Sequence, residues 1–391
     1  MKINILSGCV LAASMLLTTS CSDFLTEDPK GQLTNETLFK TKADLDLAVN
    51  SLYSNVQGFQ CNSNTMIVQC MGDDVTSTTG SNKAAYLAAD VFEDPTDLKG
   101  VNDLWSWYYN IIKASNYVID CANFMKADKS ELGEQLGQAY FWRAYAYYGL
   151  VRTWGQVPIS PEEVISVDLK NNTDAIPCAT VEEIFNYIVK DLKAAEECNL
   201  PEKYSAPKAI GDANVFVTSQ AVKSMLSAVY MSMAGYPLNK TEYYGEAAKL
   251  AKEVIDNNSQ YGFYLDNDWS HVYSMGHNYN KETILGIDYS PLPWWTNDSE
   301  FTSCDRFESL GDKAWGDAWG EIAFWKRFPE GKRKKATYAE KITFQDPDSY
   351  TIVNMVDWWA LNPDGTKVVP EYHPMFCNFT VNADAQGNAI A

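Results

Sequence analysis

Apolar residues recur every three to four positions in several separate segments of the chain. This spacing puts them on one face of an α-helix and is the primary sequence signal for that structure. The two most strongly patterned segments cover residues 101–119 and 136–151. The spacing predicts helices at about 42–53, 101–119, 136–151, 180–195, 217–234 and 242–257. The fold is therefore predicted to be mainly α.

Local signals mark where some of these helices begin and end. Thr180 is followed three residues later by Glu183, which is the pattern of a capping box. Gly155 followed by Pro158 ends the helix before it. The two strongest helices begin about one tetratricopeptide period apart, and their small and aromatic residues suit close antiparallel packing. We expect tetratricopeptide-like helix pairs that form a helical scaffold.

Two parts of the chain lack helical periodicity. Residues 57–100 contain turn-forming residues and are predicted to be loop. After Asn258 aromatic, Gly and Pro residues dominate, with short strands predicted at 283–287 and 341–344. The expected organisation is one domain over 21–391, with a helical scaffold at about 42–258 and a loop-rich ligand region at about 259–391.

The first twenty residues have the pattern of an export signal. Lys2 precedes a mostly apolar stretch from Ile3 to Leu17, and small residues lead to Cys21. That stretch is too short for a membrane-spanning helix, and no later segment offers about 18 consecutive apolar residues. Bacterial lipoprotein signals end at a cysteine that is then acylated, and several acyl chains give stable anchoring. We expect residues 1–20 to be a signal peptide and Cys21 to be lipidated outside the cytoplasm.

Charge restricts the partners of the chain. The formal net charge is −20 at pH 7, which argues against nucleic acid and anionic membrane surfaces, since both attract Lys and Arg. The basic run at 326–335 is the local exception, and it is interpreted either as solvated surface or as a contact for an acidic glycan. The 12 Trp and 23 Tyr residues are unusually many, and several lie in polar segments where core packing explains them less well.

Cysteine and histidine provide no framework for disulfides or metals. The chain has nine cysteines, and those after Cys21 are odd in number and have no repeating spacing. A local Cys61–Cys70 pair and scattered buried thiols are the two interpretations. Three histidines are few for a metal or triad enzyme, and His271 and His277 lie in a predicted loop. No metal and no cofactor are predicted.

Three ordered motifs resemble those of SusD/RagB nutrient-uptake lipoproteins. They are Cys21 to Leu25 with the helix over 43–53, the segment 104–116, and the segment 139–152. Members of that family are surface lipoproteins of the Bacteroidetes outer membrane, built from tetratricopeptide-like helix pairs. They normally continue into a further helical segment, so the C-terminal part of the family fold is expected to be missing here, through a fragment or an early stop.

The resemblance implies a non-catalytic cell-surface protein that captures oligosaccharide and delivers it to a SusC-like TonB-dependent outer-membrane transporter. Peptide or glycopeptide capture by the same architecture is one alternative. A surface glycoside hydrolase is another, although Asp and Glu are too abundant for any catalytic pair to be selected. A purely structural scaffold, which predicts no ligand, is the last. The chain contains no nucleophile elbow, phosphate loop or zinc-protease helix motif.

The segment 288–298 is the first candidate ligand loop. It combines Tyr289, Trp294 and Trp295 with prolines and polar residues. Binding pockets generally combine apolar walls with a few placed polar groups, and aromatic faces suit the C–H side of a sugar ring. The competing interpretation is that these rings cover the scaffold.

A second candidate loop precedes the helix at 101–119. Its predicted ligand-binding residues are Asp73, Asp74, Asn82, Lys83 and Tyr86. The competing interpretation is a turn with Asx capping. One carboxylate pair falls short of the six to eight oxygens that calcium takes, so no calcium site is predicted.

Trp315 and Trp319, four residues apart, are predicted to pack in the core.

Overall fold

A computed structural model gives the structure of most of the chain. It describes residues 39–61, 72–77, 84–92, 99–125, 127–160, 176–272, 279–288, 318–339, 341–345, 352–368 and 372–376. The predicted signal peptide and Cys21 lie outside these ranges. None of the helices in the described ranges is long and apolar enough to cross a membrane.

Helices dominate the described structure. They are α1 (Lys42–Cys61), α2 (Ala84–Asp90), α3 (Lys99–Phe124), α4 (Gly133–Trp154), α5 (Val181–Glu197), α6 (Ser219–Ala234), α7 (Tyr243–Asp256), α8 (Asn258–Tyr261), α9 (Trp269–Val272), α10 (Ile322–Arg327) and α11 (Lys332–Thr337). A 3-10 helix, Lys129–Leu132, precedes α4.

The strands are short and pair in antiparallel twos. They are β1 (Val75–Thr76), β2 (Val157–Pro158), β3 (Cys178–Ala179), β4 (Ala209–Ile210), β5 (Ala213–Asn214), β6 (Trp319–Gly320), β7 (Tyr338–Ala339), β8 (Lys341–Gln345), β9 (Ile352–Asp357) and β10 (Met375–Phe376). The pairs are β1 with β6, β2 with β3, β4 with β5, β7 with β10 and β8 with β9.

The capping signals act as the sequence predicts. The Thr180 hydroxyl accepts a hydrogen bond from the Glu183 backbone N–H, and the Glu183 carboxylate accepts one from the Thr180 backbone N–H, which completes the capping box of α5. Gly155 ends α4 with a φ of +73°, a conformation that glycine adopts without a steric cost. Both boundaries are therefore set by residues next to them in the chain.

The scaffold is a row of packed helices. Helix α3 packs between α1 and α4, and α5, α6 and α7 follow in order. Their facing sides form one apolar cluster in which Leu45, Ile111, Ala144, Ile188 and Val229 are fully buried. The predicted mainly α fold with helix pairs is thus confirmed.

A second, smaller apolar cluster is formed by residues from position 318 onward. Its fully buried members are Trp319 and Trp358, with Ile322, Trp325 and Tyr372 packed against them. In the described part of the chain it shares no buried residue with the helical cluster. Trp319 is 0% exposed, so its prediction as a core residue is confirmed; Trp315 lies outside the described residues.

Two predictions of irregular or strand structure were wrong. Residues 57–100 are not all loop, since they include the end of α1, strand β1 and the alanine-rich helix α2. Residues 283–287 form no strand; their apolar side chains Ile284, Leu285 and Ile287 pack on the helical cluster instead. The strand predicted at 341–344 is confirmed as β8.

Three cysteines in the described ranges, Cys121, Cys178 and Cys198, are free. Cys121 is buried, Cys198 is half-buried and Cys178 is exposed. Burial raises the pKa of the Cys121 thiol to about 11. The possible Cys61–Cys70 pair involves Cys70, which lies outside the described residues. No group of His, Cys, Asp and Glu side chains suited to a metal ion occurs in the described ranges.

Gly149 marks the closest approach of α3 and α4. A Cβ at this position would overlap the Tyr108 ring of α3. We expect Gly149→Ala to lower the free energy of unfolding by about 1–3 kcal/mol, because the two helices must separate. The matched control is Gly245→Ala in α7, where a Cβ meets nothing within 4 Å, and where we expect a gain of about 0.4–1 kcal/mol. Chemical denaturation of both variants measures the difference, and equal effects would contradict the close approach.

Candidate functional site

A two-residue strand pair joins the loop of Asp73 and Asp74 to the second cluster. Val75 pairs with Gly320 and Thr76 with Trp319. The backbone N–H of Glu321 donates to the carbonyl of Asp74 at 3.0 Å. The Thr76 hydroxyl donates a hydrogen bond to the Asp90 carboxylate at 2.8 Å and so connects β1 to α2. The chain thereby brings two sequence-distant polar segments to one side of the second cluster.

Three tryptophans form the centre of this site. The ring of Trp325 on α10 lies 5.3 Å from that of Trp358 and 5.8 Å from that of Trp359. Trp358 and Trp359 directly follow β9 and meet edge to face at 5.3 Å. Trp358 is 2% exposed, whereas Trp359 is 38% exposed. We call these three residues the Trp cluster; Trp358 serves as its buried base, and Trp359 presents ring surface to solvent.

Two contacts of charged side chains involve α10, the helix that carries Trp325. Nη2 of Arg327, two residues after Trp325, lies 3.6 Å from Oδ2 of Asp73. Their side chains are 67% and 89% exposed, so both charged groups are open to a ligand. Lys334 Nζ lies 4.4 Å from the centroid of the Trp325 ring, a cation–π contact that holds α11 against α10.

A backbone contact fixes the position of Gly320 in β6. Gly320 donates its N–H to the carbonyl of Pro374 at 2.8 Å, and a Cβ at Gly320 would crowd Tyr338 and Pro374. Burial, together with the nearby Asp74 charge, raises the pKa of Tyr338 to about 12. Burial also lowers the pKa of His373, so both groups are neutral at pH 7.

This part of the molecule presents the exposed ring of Trp359 and, at Arg327 and Asp73, an exposed guanidinium and carboxylate. An aromatic face binds the C–H side of a flat ring, while Asp73 accepts and Arg327 donates hydrogen bonds. Sugar rings present both kinds of surface. A flexible peptide with an aromatic or charged side chain presents some of the same groups.

Only some of the sequence-predicted site residues lie here. Asp73 and Asp74 are exposed and belong to the site. Tyr86 is 1% exposed in α2, so in this structure its ring faces the interior and offers no surface to a ligand. Asn82 and Lys83 lie outside the described residues. So do Tyr289, Trp294 and Trp295, and their ligand role stays a prediction.

The sequence reasoning did not single out Trp325, Trp359 and Arg327 as site residues. Two signals were available: the Trp358–Trp359 pair that directly follows a β-branched, strand-like run, and the basic run at 326–335, which contains Arg327. The interpretation of 326–335 as solvated surface was wrong for Lys334, which is 6% exposed and pairs with Glu330 at 2.7 Å. His271 is exposed and lies 3.4 Å from Asp266; His277 lies outside the described residues.

The helical scaffold has concave regions of its own. A cavity of about 410 Å³ lies between α1, α4 and the segment around Lys208, and is lined by Asp46, Glu134 and Gln135. A groove of about 530 Å³ between α4 and α6 is mainly apolar. Neither combines an exposed Trp face with an open ion pair.

Comparison with known proteins places this geometry in context. Residues 23–231 match the SusD-like family, described as starch-binding and associating with the outer membrane. SusD-like protein P2 of Formosa agariphila is 28% identical over 278 residues, which cover 70% of this chain and 51% of that protein. The chain spans little more than half the length of that protein and of a SusD-like protein of Bacteroides ovatus, which is 25% identical over 344 residues.

Solved structures share the fold. A SusD superfamily protein from Parabacteroides distasonis superposes with a TM-score of 0.69 at 21% identity, covering 92% of this chain and 72% of that one. The surface glycan-binding protein A of Bacteroides thetaiotaomicron superposes with a TM-score of 0.65 at 16% identity, covering 88% and 71%. Both similarities are similarities of fold.

Proposed function

The chain belongs to the SusD-like family of starch-binding, outer-membrane-associated proteins, and we propose that it is a non-catalytic surface lipoprotein that captures oligosaccharide. In this proposal Cys21 carries the lipid and a SusC-like TonB-dependent transporter receives the ligand. The export-signal pattern before Cys21 supports the anchor, and the helical scaffold supports the family architecture.

The observation that carries the proposal is the half-exposed Trp359 in the Trp cluster. Its exposed fraction of 38% is high for a tryptophan that packs edge to face on a fully buried one. Because this ring is packed against Trp325 and Trp358, it loses little entropy on binding. Asp73 and Arg327 supply the polar contacts that orient a sugar.

The surroundings of Asp73 support binding rather than hydrolysis. A glycosidase acid requires a carboxyl group held protonated in an apolar pocket. Asp73 is 89% exposed and lies beside a guanidinium, which is the opposite environment. The exposed Asp73 carboxylate is instead placed to accept hydrogen bonds from sugar hydroxyls.

A polysaccharide panel tests the proposal. We expect the mature chain, produced without the lipid, to be retarded in affinity gels by at least one plant, host or microbial glycan. Titration calorimetry should then give a dissociation constant in the micromolar range, about −8 kcal/mol, and no reducing ends should appear on long incubation. Binding of a peptide library with no glycan bound would overturn the proposal in favour of peptide capture. Release of reducing ends that is lost on carboxylate substitution would establish an enzyme.

A further inference from the structure

We infer that the glycan bound at the Trp cluster is anionic and carries uronate or sulfate groups. The inference rests on the proposed function, since it names the class of ligand for the same site. Its basis is the distribution of charge around α10 and α11, which departs sharply from that of the rest of the chain.

Basic residues are concentrated in one short segment. Residues 326–335 contain six Lys and Arg residues and one Glu, in a chain whose net charge is −20. From residue 318 on, the described residues include eight Lys and Arg against four Asp and Glu. Asp73 and Asp74 of the neighbouring loop reduce this excess without cancelling it. The site is thus a basic island on an acidic protein.

One lysine of the segment has a structural role that the others do not share. Lys334 is buried, contacts the Trp325 ring and pairs with Glu330 at 2.7 Å. That pair neutralises the single acidic residue of the segment internally. Lys326, Arg327 and Lys332 are exposed, so their charges act at the surface. These charges therefore lie at the surface, on α10, which carries Trp325, and at the start of α11.

Arg327 is the residue best placed to meet an acidic group. Its contact with Asp73 is 3.6 Å long and solvent-exposed, a geometry worth little energy. A ligand carboxylate or sulfate can take two parallel N–H donors of the guanidinium, which is a stronger and shorter arrangement. Exchange of Asp73 for a ligand anion then costs little and frees Asp73 to accept sugar hydroxyls.

The short range of electrostatic forces makes the local excess decisive. At physiological ionic strength the screening length is about 8 Å, so the distant acidic surface acts weakly on a bound ligand. A neutral glycan can accept hydrogen bonds from the basic residues but gains no charge–charge attraction from them. Phosphate groups of outer-membrane lipid would use them as well, but would leave the open Trp359 ring without a partner, and for this reason the glycan is favoured.

Matched ligands separate charge from backbone recognition. Polygalacturonate is compared with highly methyl-esterified pectin, and dextran sulfate with dextran, by titration calorimetry at low and high NaCl. We expect an anionic member to bind at least about tenfold more tightly than its neutral partner, and that advantage to shrink at high salt.

Matched variants identify the charges responsible. We expect K326Q/R327Q/K332Q to weaken binding of the anionic glycan about tenfold, since these cations contact the ligand. The control K193Q/K203Q/K249Q removes the same charge from exposed lysines of the scaffold and should stay within about twofold. Equal losses in the two variants would overturn the inference, because only total charge would then matter.

The remaining outcomes distinguish the two claims. If a neutral glycan binds as tightly as its anionic partner, the proposed function stands and the inference falls. If no glycan of either kind binds, the proposed function falls and the inference with it. If lipopolysaccharide vesicles bind through the same three residues and no anionic polysaccharide does, the cations serve membrane contact and the inference is overturned.

Discussion

Replacement of Arg143 by methionine is expected to lower the free energy of unfolding by about 3–5 kcal/mol. Arg143 and Asp191 are each 1% exposed and form a two-pronged ion pair at 2.8 and 2.7 Å. Arg143 also donates to Oδ1 of Asn116 at 2.8 Å. Asn116, Arg143 and Asp191 lie on α3, α4 and α5 respectively, so the three residues together link three helices. Methionine fills much of the volume but leaves the Asp191 charge buried without this partner.

Guanidinium chloride denaturation measures this loss, with Arg152→Met as the matched control. Arg152 lies in the last turn of the same helix and is exposed. Its guanidinium lies over the Tyr148 ring, 5.0 Å from the centroid. Its replacement should cost less than about 1 kcal/mol. The double variant Arg143→Met/Asp191→Leu should be more stable than Arg143→Met, because it removes the stranded charge. Equal stability of the Arg143 and Arg152 variants would show that the buried pair contributes nothing special.

Replacement of Trp359 by alanine is expected to weaken glycan binding at least tenfold, or by more than about 1.4 kcal/mol. The ring rests on Trp325 and Trp358 and is already rigid, so little ordering cost offsets its contact with a sugar. Because Trp359 is 38% exposed and lies beside rather than inside the buried base, the fold should tolerate the change.

Calorimetry with the glycan identified in the panel checks this result. Tyr244→Ala provides the control, since Tyr244 is a 47% exposed aromatic residue on the scaffold helix α7. Its affinity should equal that of the unmodified chain. If Trp359→Ala binds normally while its circular dichroism and melting temperature are unchanged, the ligand site lies elsewhere. The Trp294 and Trp295 segment would then be the next to substitute.

The scaffold could be predicted from sequence because its determinants are local. The capping box at Thr180, the glycine at position 155 and the apolar spacing along each helix all act within a few residues of the structure they set. The short helix α2 was missed because its local signal is weak. Turn-forming residues on both sides suggested a loop, and a seven-residue alanine-rich helix gives little periodic signal.

Most of the site could not be predicted, because it depends on long-range pairing. Asp73 meets Arg327 only because β1 pairs with β6, and two-residue strands leave no recognisable pattern in either segment. Likewise the burial of Lys334 follows from the position of the Trp325 ring, which the charge pattern alone does not contain. The sequence nevertheless placed Asp73 and Asp74 in a candidate loop, and the pairing of β1 with β6 brings that loop beside the second cluster.

The two apolar clusters are separate, so a substitution in the smaller cluster need not disturb the packing of the helical one. A substitution under Trp319 or Trp358 opens no cavity among the helices, because the described parts of the two clusters share no buried residue. The family match ends at residue 231, within the scaffold and before the Trp cluster begins. Exchange of residues around the Trp cluster is therefore expected to leave the packing of the helical cluster intact.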